Sequence, residues 1–434
     1  MLQIFFGALL KLFRFTFATK LKKQRQLLFI GLVWPEPASS AAGSRLIKLI
    51  HIFLSQGWKV LFSSAAAKSE YSADLVSIGV IEVSVELNNS SFDVFISDLN
   101  PDVVIFDRFM TEEQYGWRVH ENCEKAIRIL DTEDLHFLRK ARFQAVKESR
   151  QINENDLKSE DAKREIAAIL RCDLSLIISG FEVELLKDIF KIEPSLLHYL
   201  PFSFQPTTKE KMDEWKSFEE RNDFVSIGNF LHPPNADLVK QLKNIIWPLI
   251  RKELPLAKMH IYGSYISQQY KEMHDEKSGF IVHGRAENAL EVLGNARVCL
   301  APIRFGAGLK GKLAEAMLAG TPSVTTSVGA EAMHELLDWS GFIENEPEKF
   351  AAAAIQLYRD KASWQNAQEN GKTIINRLFS SGKEEDSLVL KINDLFENLE
   401  KHRQNNFYGA LLLHQTLSAT KYMSRWIEEK NKQK

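Results

Sequence analysis

The chain has 434 residues, of which 45% are hydrophobic and 26% are charged, enough for two ordinary domains with cores of their own. A formal net charge of -2 gives the whole protein no attraction to nucleic acid. The cysteines, Cys123, Cys172 and Cys299, are odd in number and far apart. This excludes a disulfide framework and a cysteine-based metal cluster, and it fits a reducing compartment. No apolar run reaches the roughly 18 residues of a membrane-spanning helix.

The first 26 residues differ from the rest of the chain in charge, because they contain basic residues and no acidic one. Large apolar side chains are dense among them. On a helix this composition gives a broad apolar face interrupted by basic residues, which predicts that the segment lies on an anionic membrane surface. The alternatives are a misassigned start and a helix packed on the protein itself. A cleaved signal peptide fits less well, because most charges follow the apolar part. The basic residues are Lys11, Arg14, Lys20, Lys22, Lys23 and Arg25.

The following part of the chain alternates short apolar runs with helical patterns, which is typical of an α/β domain with a parallel sheet. Strands are predicted over residues 27–33, 59–63, 103–107 and 127–130, and a first helix over 44–55. Polar groups at the carboxyl ends of such strands face a ligand crevice. Gly43, Arg45 and Asp107 are therefore predicted to line it, although an arginine on a helix face is more often simply solvated.

An acidic loop follows the last of these strands and precedes a basic helix predicted over 137–150. Carboxylates and a histidine on one loop can position a hydroxyl and remove its proton, so Asp131, Asp134 and His136 are candidate functional residues. The alternative is a helix N-cap made by Asp131 or Thr132, and both readings can hold together. The loop reads Asp131, Thr132, Glu133, Asp134, Leu135 and His136.

The remaining segments divide the chain. Residues 140–165 are charge-rich and predicted to be helical, and 166–179 supply a helix and a strand. A linker then leads to a second domain near Lys209. Residues 384–404 carry apolar side chains at helical spacing, which predicts an amphipathic helix. Residues 407–434 form a similar apolar helix with a basic end.

The most informative stretch runs from Ala301 to Val324. A strand predicted over 296–302 leads into three glycines, and a helical pattern begins near Lys312. Such a loop lets backbone N–H groups approach an anion while the helix N-terminus adds partial positive charge. Lys310 and Lys312 add two full charges, so a diphosphate is the predicted ligand. The glycines are Gly306, Gly308 and Gly311.

Two known phosphate-binding motifs nearly match this loop. The three glycines fit the dinucleotide fingerprint, with Glu331 as its ribose ligand, but three residues separate the strand from the first glycine and the loop lies late in the chain. The loop also imitates a P-loop, yet Leu313 stands where magnesium chemistry needs a hydroxyl. Glu315 favours a third interpretation over these two motifs. It lies about one turn into the helix, where its carboxylate can accept hydrogen bonds from ribose hydroxyls, and this combination describes a nucleotide-diphosphate sugar.

This segment resembles the retaining GT-B glycosyltransferases of family four, the glycosyl transferases group 1. Their donor domain carries the pattern Pro-x-x-x-Gly-x-Gly-x-Lys…Glu-Ala-Met-Ala-x-Gly-x-Pro-Val. The similarity extends in order over residues 224–333, including Phe224-Val-Ser-Ile-Gly-Asn229, Met259-His-Ile-Tyr-Gly263 and Ile281-Val-His-Gly-Arg285. The implied fold is α/β: two Rossmann-like α/β/α domains that face a central cleft, with a C-terminal helix crossing back to the N-terminal domain.

The sequence and the resemblance together predict four parts with different roles. The parts are a basic segment over 1–26, an acceptor-side domain over 27–205, a nucleotide-sugar domain over 206–383 and C-terminal helices over 384–434. His136, Asp131 and Lys310 are the implied catalytic residues. The implied donor-binding residues are Gly228, Asn229, Gly284, Arg285, Arg304, Gly306, Gly308, Leu309, Lys310, Lys312 and Glu315. The predicted acceptor-side residues are Gly43, Arg45, Asp107 and Asp134.

The implied activity is transfer of a sugar from a nucleotide-diphosphate sugar to an acceptor hydroxyl, with retention, in glycan or glycolipid synthesis. No metal or other cofactor is expected, since Asp131 and Asp134 lack the Asp-x-Asp spacing of the other glycosyltransferase architecture. The expected partners are the nucleotide sugar, a glycan or lipid-linked acceptor and an anionic membrane surface, without nucleic acid. The expected location is the cytoplasm, at the inner face of the membrane.

The sequence departs from the family pattern at two positions. Ala307 stands where the first of two glutamates is usual, and Asn229 replaces an arginine that commonly follows Gly228. Positive charge opposite the leaving diphosphate must then come from Lys310, Lys312 or Arg304. These departures support one alternative, a catalytically idle sugar-nucleotide-binding protein. A second alternative is a GT-B epimerase that acts on the sugar nucleotide itself.

Overall fold

The protein is described by a computed structural model that covers residues 24–380 and 382–432. The chain forms two parallel sheets flanked by helices. The first has seven strands in the order β3-β2-β1-β4-β5-β6-β7. Its strands are β1 (Gln26–Gly31), β2 (Lys59–Ser64), β3 (Ile81–Ser84), β4 (Val103–Asp107), β5 (Ile127–Asp131), β6 (Leu174–Ile177) and β7 (Leu197–Tyr199). Its helices are α1 (Ala41–Ser55), α2 (Ser91–Leu99), α3 (Phe109–Asn122), α4 (His136–Lys147), α5 (Glu160–Arg171) and α6 (Gly180–Asp188).

The second sheet has six strands in the order β10-β9-β8-β11-β12-β13. Its strands are β8 (Asn222–Ile227), β9 (Met259–Tyr262), β10 (Phe280–Gly284), β11 (Ala296–Ala301), β12 (Ser323–Thr325) and β13 (Gly341–Ile343). Its helices are α7 (Lys209–Asp213), α8 (Pro233–Gln241), α9 (Trp247–Glu253), α10 (Gln268–Lys271), α11 (Ala289–Asn295), α12 (Gly311–Leu318), α13 (Ser327–Ala330), α14 (Pro347–Arg359) and α15 (Lys361–Leu378). The central strands are buried on both faces, as a parallel sheet covered by helices requires.

The C-terminal helices return to the first sheet. Helix α16 (Lys383–Asn405) buries Leu388, Ile392 and Leu395 in the same core as strand β1, and helix α17 (Phe407–Lys432) packs on α3 and α5. The predicted architecture of two Rossmann-like domains with a helix crossing back is therefore confirmed. Within the described ranges, no helix combines the length and apolarity needed to cross a membrane. The predicted basic segment lies outside the described residues up to position 23.

Local differences from the predicted elements have simple causes. Strand β3 went unpredicted because it is an edge strand with half-exposed side chains, and β7 because it has only three residues. The charge-rich stretch 140–165 is two helices rather than one. Asn153 makes a capping box on a 3₁₀ turn, and Ser159 caps α5, so local side-chain hydrogen bonds compete with a continuous helix there.

Candidate functional site

The carboxyl ends of the strands of both sheets open into one cleft of about 860 Å³. This is the position at which open α/β sheets bind ligands. The loop 32–43 and the ends of β4 and β5 form one wall. Loops of the second sheet form the other. The predicted site residues among the described lining residues are Gly43, Asp107, Asp134, His136, Gly228, Asn229, Arg285, Gly306, Gly308, Leu309, Lys310, Lys312 and Glu315.

The glycine loop carries the cationic wall of the cleft. It connects β11 to α12, as predicted, and the Lys310 ammonium donates to the Gly308 carbonyl at 2.7 Å. The Lys312 ammonium donates to the Asn235 side-chain oxygen at 2.7 Å. Burial lowers the pKa of each lysine to about 8. Because a bound anion favours the charged form of an amine, both lysines suit a site that receives phosphate.

Gly228 leaves room for the ends of the Asn235 and Lys312 side chains. A Cβ atom on Gly228 would lie 2.7 Å from the side-chain nitrogen of Asn235 and 2.8 Å from the Lys312 ammonium. Asn229, which follows it, accepts the Leu231 N–H at 2.8 Å with its side-chain oxygen. Where the family commonly places an arginine after the glycine, this chain therefore places the Lys312 ammonium beside the glycine itself.

Glu315 lies on the helix that the glycine loop begins, and it lines the same cleft. Burial raises the pKa of its carboxyl to about 7, against the opposing charge of Lys312. A half-buried carboxylate close to a lysine can accept hydrogen bonds from hydroxyl groups. Lysines and carboxylate thus occupy one wall in the order that the sequence predicted.

The opposite wall holds an acid and a histidine in contact. The His136 Nε2 atom lies 3.4 Å from an oxygen of Asp134, and Arg139 donates to the other oxygen. Burial by itself raises the pKa of Asp134, but Arg139 and His136 together lower it to about 2. Burial lowers the pKa of His136 to about 4. At neutral pH the pair is therefore an ionised carboxylate beside a neutral imidazole.

Sequence reasoning missed two strained residues on this wall. Arg108 follows β4 with φ of 68° and Glu133 follows β5 with φ of 61°, a region that non-glycine residues seldom adopt. Both line the cleft, where such strain is concentrated in many proteins. Burial and the nearby Asp131 raise the pKa of Glu133 to about 8. Arg139 and His232 also line the cleft without having been predicted, because no short motif marks them.

The N-cap alternative for the acidic loop is wrong. Helix α4 begins at His136, and the N–H groups of His136 and Phe137 donate to the buried Glu165 carboxylate at 3.1 and 3.0 Å. Thr132 instead donates its hydroxyl to the Leu176 carbonyl at 3.0 Å. The cap comes from helix α5, so only tertiary structure supplies it.

Four predicted site residues are not among those that line the cleft: Asp131, Arg45, Gly284 and Arg304. Asp131 and Arg45 are buried and form an ion pair with each other at 3.1 Å. Arg304 pairs with Asp237 and is partly exposed. The structure therefore brings neither Asp131 nor Arg304 to the phosphate or hydroxyl position for which the sequence suggested it. Among the described residues, no group of three or more histidines, cysteines or acids could hold a metal ion.

Comparison with known proteins identifies the fold. Residues 221–360 match the family Glycosyl transferases group 1, while no curated protein matches the sequence. Sucrose-phosphate synthase from Thermosynechococcus elongatus is similar in structure, with a TM-score of 0.63, 15% identity and coverage of 86% of this chain and 100% of that one. HepE from Anabaena, solved with UDP and glucose, has a TM-score of 0.63 at 12% identity, covering 85% and 100%.

The structure of TarM from S. aureus is also similar, with a TM-score of 0.53 and 15% identity over 70% of this chain. The present chain spans 58% of the length of that protein. The fold is that of the GT-B glycosyltransferases, as the resemblance predicted, and the region that matches the glycosyl transferases group 1 model contains the second sheet.

Proposed function

We propose that the protein transfers a sugar from a nucleotide-diphosphate sugar to an acceptor hydroxyl with retention of the anomeric configuration, in glycan or glycolipid synthesis. One observation carries the proposal: a single cleft places the two lysines of the glycine loop opposite the Asp134–His136 pair. The first wall suits a diphosphate that leaves, and the second suits a hydroxyl that attacks.

On the donor wall, Lys310 and Lys312 bind the diphosphate and oppose the negative charge that grows on it as the glycosidic bond breaks. Glu315 accepts hydrogen bonds from the ribose hydroxyls. HepE, one of the similar structures, was solved with UDP-glucose, so uridine diphosphate sugars are the first donors to test. Glycine-loop amides are expected to contact the donor sugar, because Ala307 offers no carboxylate there.

On the acceptor wall, the neutral His136 imidazole positions the acceptor hydroxyl and receives its proton. The ionised Asp134 beside it stabilises the imidazolium that results. Arg139 keeps Asp134 ionised at any pH well above about 2. No covalent nucleophile is assigned, and the reaction needs none if the departing diphosphate and the arriving hydroxyl meet on one face of the sugar.

Nucleotide binding tests the donor assignment. A panel of nucleotide diphosphates is measured by thermal shift, where a ligand at about 100 times its dissociation constant should stabilise by about 2.7 kcal/mol. Release of nucleotide from the matching sugar nucleotide is then followed with and without glycan acceptors. Acceptor-dependent release supports transfer. If no nucleotide diphosphate of the panel stabilises the protein, the proposal is contradicted. A modified sugar formed without acceptor indicates epimerisation instead.

We further propose that the enzyme works at an anionic membrane surface on a lipid-linked acceptor. Besides the basic segment before residue 24, helix α17 supports this reading. Arg425 and Lys430 flank its outer face, and the Lys430 ammonium lies 5.1 Å from the Trp426 ring. Tyrosine and tryptophan favour the lipid headgroup region, and basic side chains are attracted to anionic lipids. The exposed apolar side chains of α17 are Phe407, Tyr408, Leu411, Tyr422, Met423 and Trp426.

Co-sedimentation with phosphatidylserine-containing vesicles tests the membrane proposal. Removal of residues 1–23 is the appropriate truncation, because Arg25 already donates to Asn393 at 2.6 Å and strand β1 starts at Gln26. The truncation and Trp426→Ser should each lower the pelleted fraction at low salt. Leu256→Ser, at an even more exposed apolar position in the other domain, is the matched control. Equal pelleting of all four proteins contradicts the proposal.

A further inference from the structure

One buried carboxyl joins the two walls of the cleft. Glu182, on helix α6 of the first domain, is fully buried. A single oxygen of its carboxyl accepts the Leu135 N–H at 3.1 Å and the Gly308 N–H at 2.7 Å. Its second oxygen has no hydrogen-bond partner among the described residues. Leu135 is next to His136 in the acidic loop of residues 131–136, which we call the acceptor loop. One oxygen atom of Glu182 therefore links the acceptor loop to the glycine loop.

The glycine loop packs closely against the acceptor loop at Gly308. Gly308 has φ of 63°, and a Cβ atom on it would lie 2.9 Å from the Asp134 Cβ and 3.3 Å from a methyl carbon of Ile178. A side chain at this position would force the two loops apart. The hydrogen bond from the Gly308 N–H to Glu182 therefore joins two loops that are already in close contact.

Arg142 holds the same loop from its other side. It lies on helix α4, which begins at His136, and donates to the Gly306 carbonyl at 2.8 Å. It also makes two hydrogen bonds to the Glu331 carboxylate, at 2.8 and 2.7 Å. Two side chains of the first domain thus hydrogen-bond to the backbone of the glycine loop. Glu182 accepts from the Gly308 N–H, and Arg142 donates to the Gly306 carbonyl.

We propose that Glu182 and Arg142 are positioning residues that fix the glycine loop relative to His136, so that donor and acceptor meet at reacting distance. The inference rests on the proposed glycosyl transfer. Neither residue is among those lining the cleft, so their effect passes through the two loops. Because Glu182 occupies the Gly308 N–H, the diphosphate depends on Lys310 and Lys312 and not on that amide.

Substitution of Glu182 separates positioning from donor binding. Glu182→Ala removes the shared acceptor, and we expect kcat for transfer to fall at least tenfold while the donor KM changes less than threefold. Glu182→Gln keeps an oxygen at the same place and should stay within threefold of wild type. Glu184→Ala, on an exposed side chain of the same helix, is the control. A raised donor KM with unchanged kcat, or tighter donor binding, would overturn the proposal.

If Glu182→Ala does not fold, exchanging the charges of Arg142 and Glu331 tests the proposal instead. Arg142→Glu and Glu331→Arg should each lower kcat, and the double variant should recover part of the loss because the ion pair is restored in reverse. Lys140→Ala, whose exposed side chain pairs with Asp161, is the control on helix α4. A double variant no better than the product of the single losses overturns the assignment of Arg142.

A distance measurement does not depend on the reaction. Spin labels at Glu160→Cys and Leu256→Cys, which are exposed positions in different domains, report the spacing between the domains. The distance distribution should broaden in Arg142→Ala and Glu182→Ala and remain narrow in Glu184→Ala. If no donor supports transfer, a broadened distribution still supports the positioning role. An unchanged distribution together with unchanged kcat rejects it.

Discussion

The two walls of the cleft are built in opposite ways. The donor wall comes largely from one continuous segment, in which strand β11, the glycine loop and helix α12 follow one another along the chain. The acceptor wall is assembled from the ends of β4 and β5, and the helix that carries His136 is capped by Glu165 from another helix. A continuous motif can be recognised in sequence, whereas an assembled surface cannot.

The walls differ electrostatically as well. On the donor wall, burial holds the pKa of both lysines at about 8, and their ammonium groups bond to neutral oxygens. On the acceptor wall, Asp134 already has Arg139 and His136 as partners. In the part of the chain that the structure describes, neither lysine makes an ion pair within 4 Å, although Glu331 raises the pKa of Lys310 and Glu315 that of Lys312. An anionic ligand can therefore supply a direct counter-ion on the donor wall, whereas Asp134 on the acceptor wall already has one.

Substitution of Asp131 has the largest expected effect. It tests whether this residue of the acceptor-side domain has a structural role in its ion pair with Arg45 or a catalytic role. Asp131→Ala leaves the Arg45 guanidinium buried without its partner, so we expect a loss of about 3–5 kcal/mol in unfolding free energy. Urea denaturation measures it, with the exposed Asp98→Ala as control. A variant of normal stability that fails to transfer sugar would return Asp131 to a catalytic role.

Substitution of His136 tests whether the acceptor wall acts in transfer without contributing to donor binding. His136→Ala should lower transfer by about 100-fold or more, as expected for loss of a positioned acid–base group, and leave donor binding intact. Steady-state kinetics combined with donor titration provides the measurement. Lys140→Ala, at an exposed position on the same helix, is a suitable control. Parallel loss of donor affinity would place His136 on the donor wall.

The donor wall is tested by Lys310→Ala and Glu315→Ala. Each removes a hydrogen bond that involves a charged group, so donor affinity should fall by roughly 1.5–3 kcal/mol. Arg304→Ala breaks only the pair with Asp237 outside the cleft and should cost little. Calorimetric titration of the three variants with the donor decides this point. If Arg304→Ala has the larger effect, the cation opposite the diphosphate has been misassigned.

Proton uptake is the smallest effect and the most specific to the donor wall. A diphosphate should raise the lysine pKa values from about 8 toward their ordinary value. At a pH of about 9 the complex then binds more protons than the free enzyme, and donor affinity falls as pH rises through the free-enzyme pKa. Titrations in two buffers of different ionisation enthalpy measure the uptake, which should shrink in Lys312→Ala. Uptake that is absent or unchanged contradicts the role of the lysines.

The sequence by itself determined the fold class, the order of most strands and the donor wall. Apolar runs separated by helical patterns report buried parallel strands directly, and the spacing of Gly306, Lys310 and Glu315 places all three on one strand–loop–helix unit. These features depend on neighbours along the chain, so a single sequence contains them.

Only the tertiary structure decided the rest of the site. Asp131 and Asp134 lie three residues apart, yet Asp131 points into an ion pair with Arg45 and Asp134 points into the cleft. The contacts of Glu182 and Arg142 with the glycine loop each join residues more than 120 positions apart. A side chain's role there depends on which distant groups share its burial, because desolvation and partner charges set both its protonation and its orientation. No pattern along the chain encodes those distances.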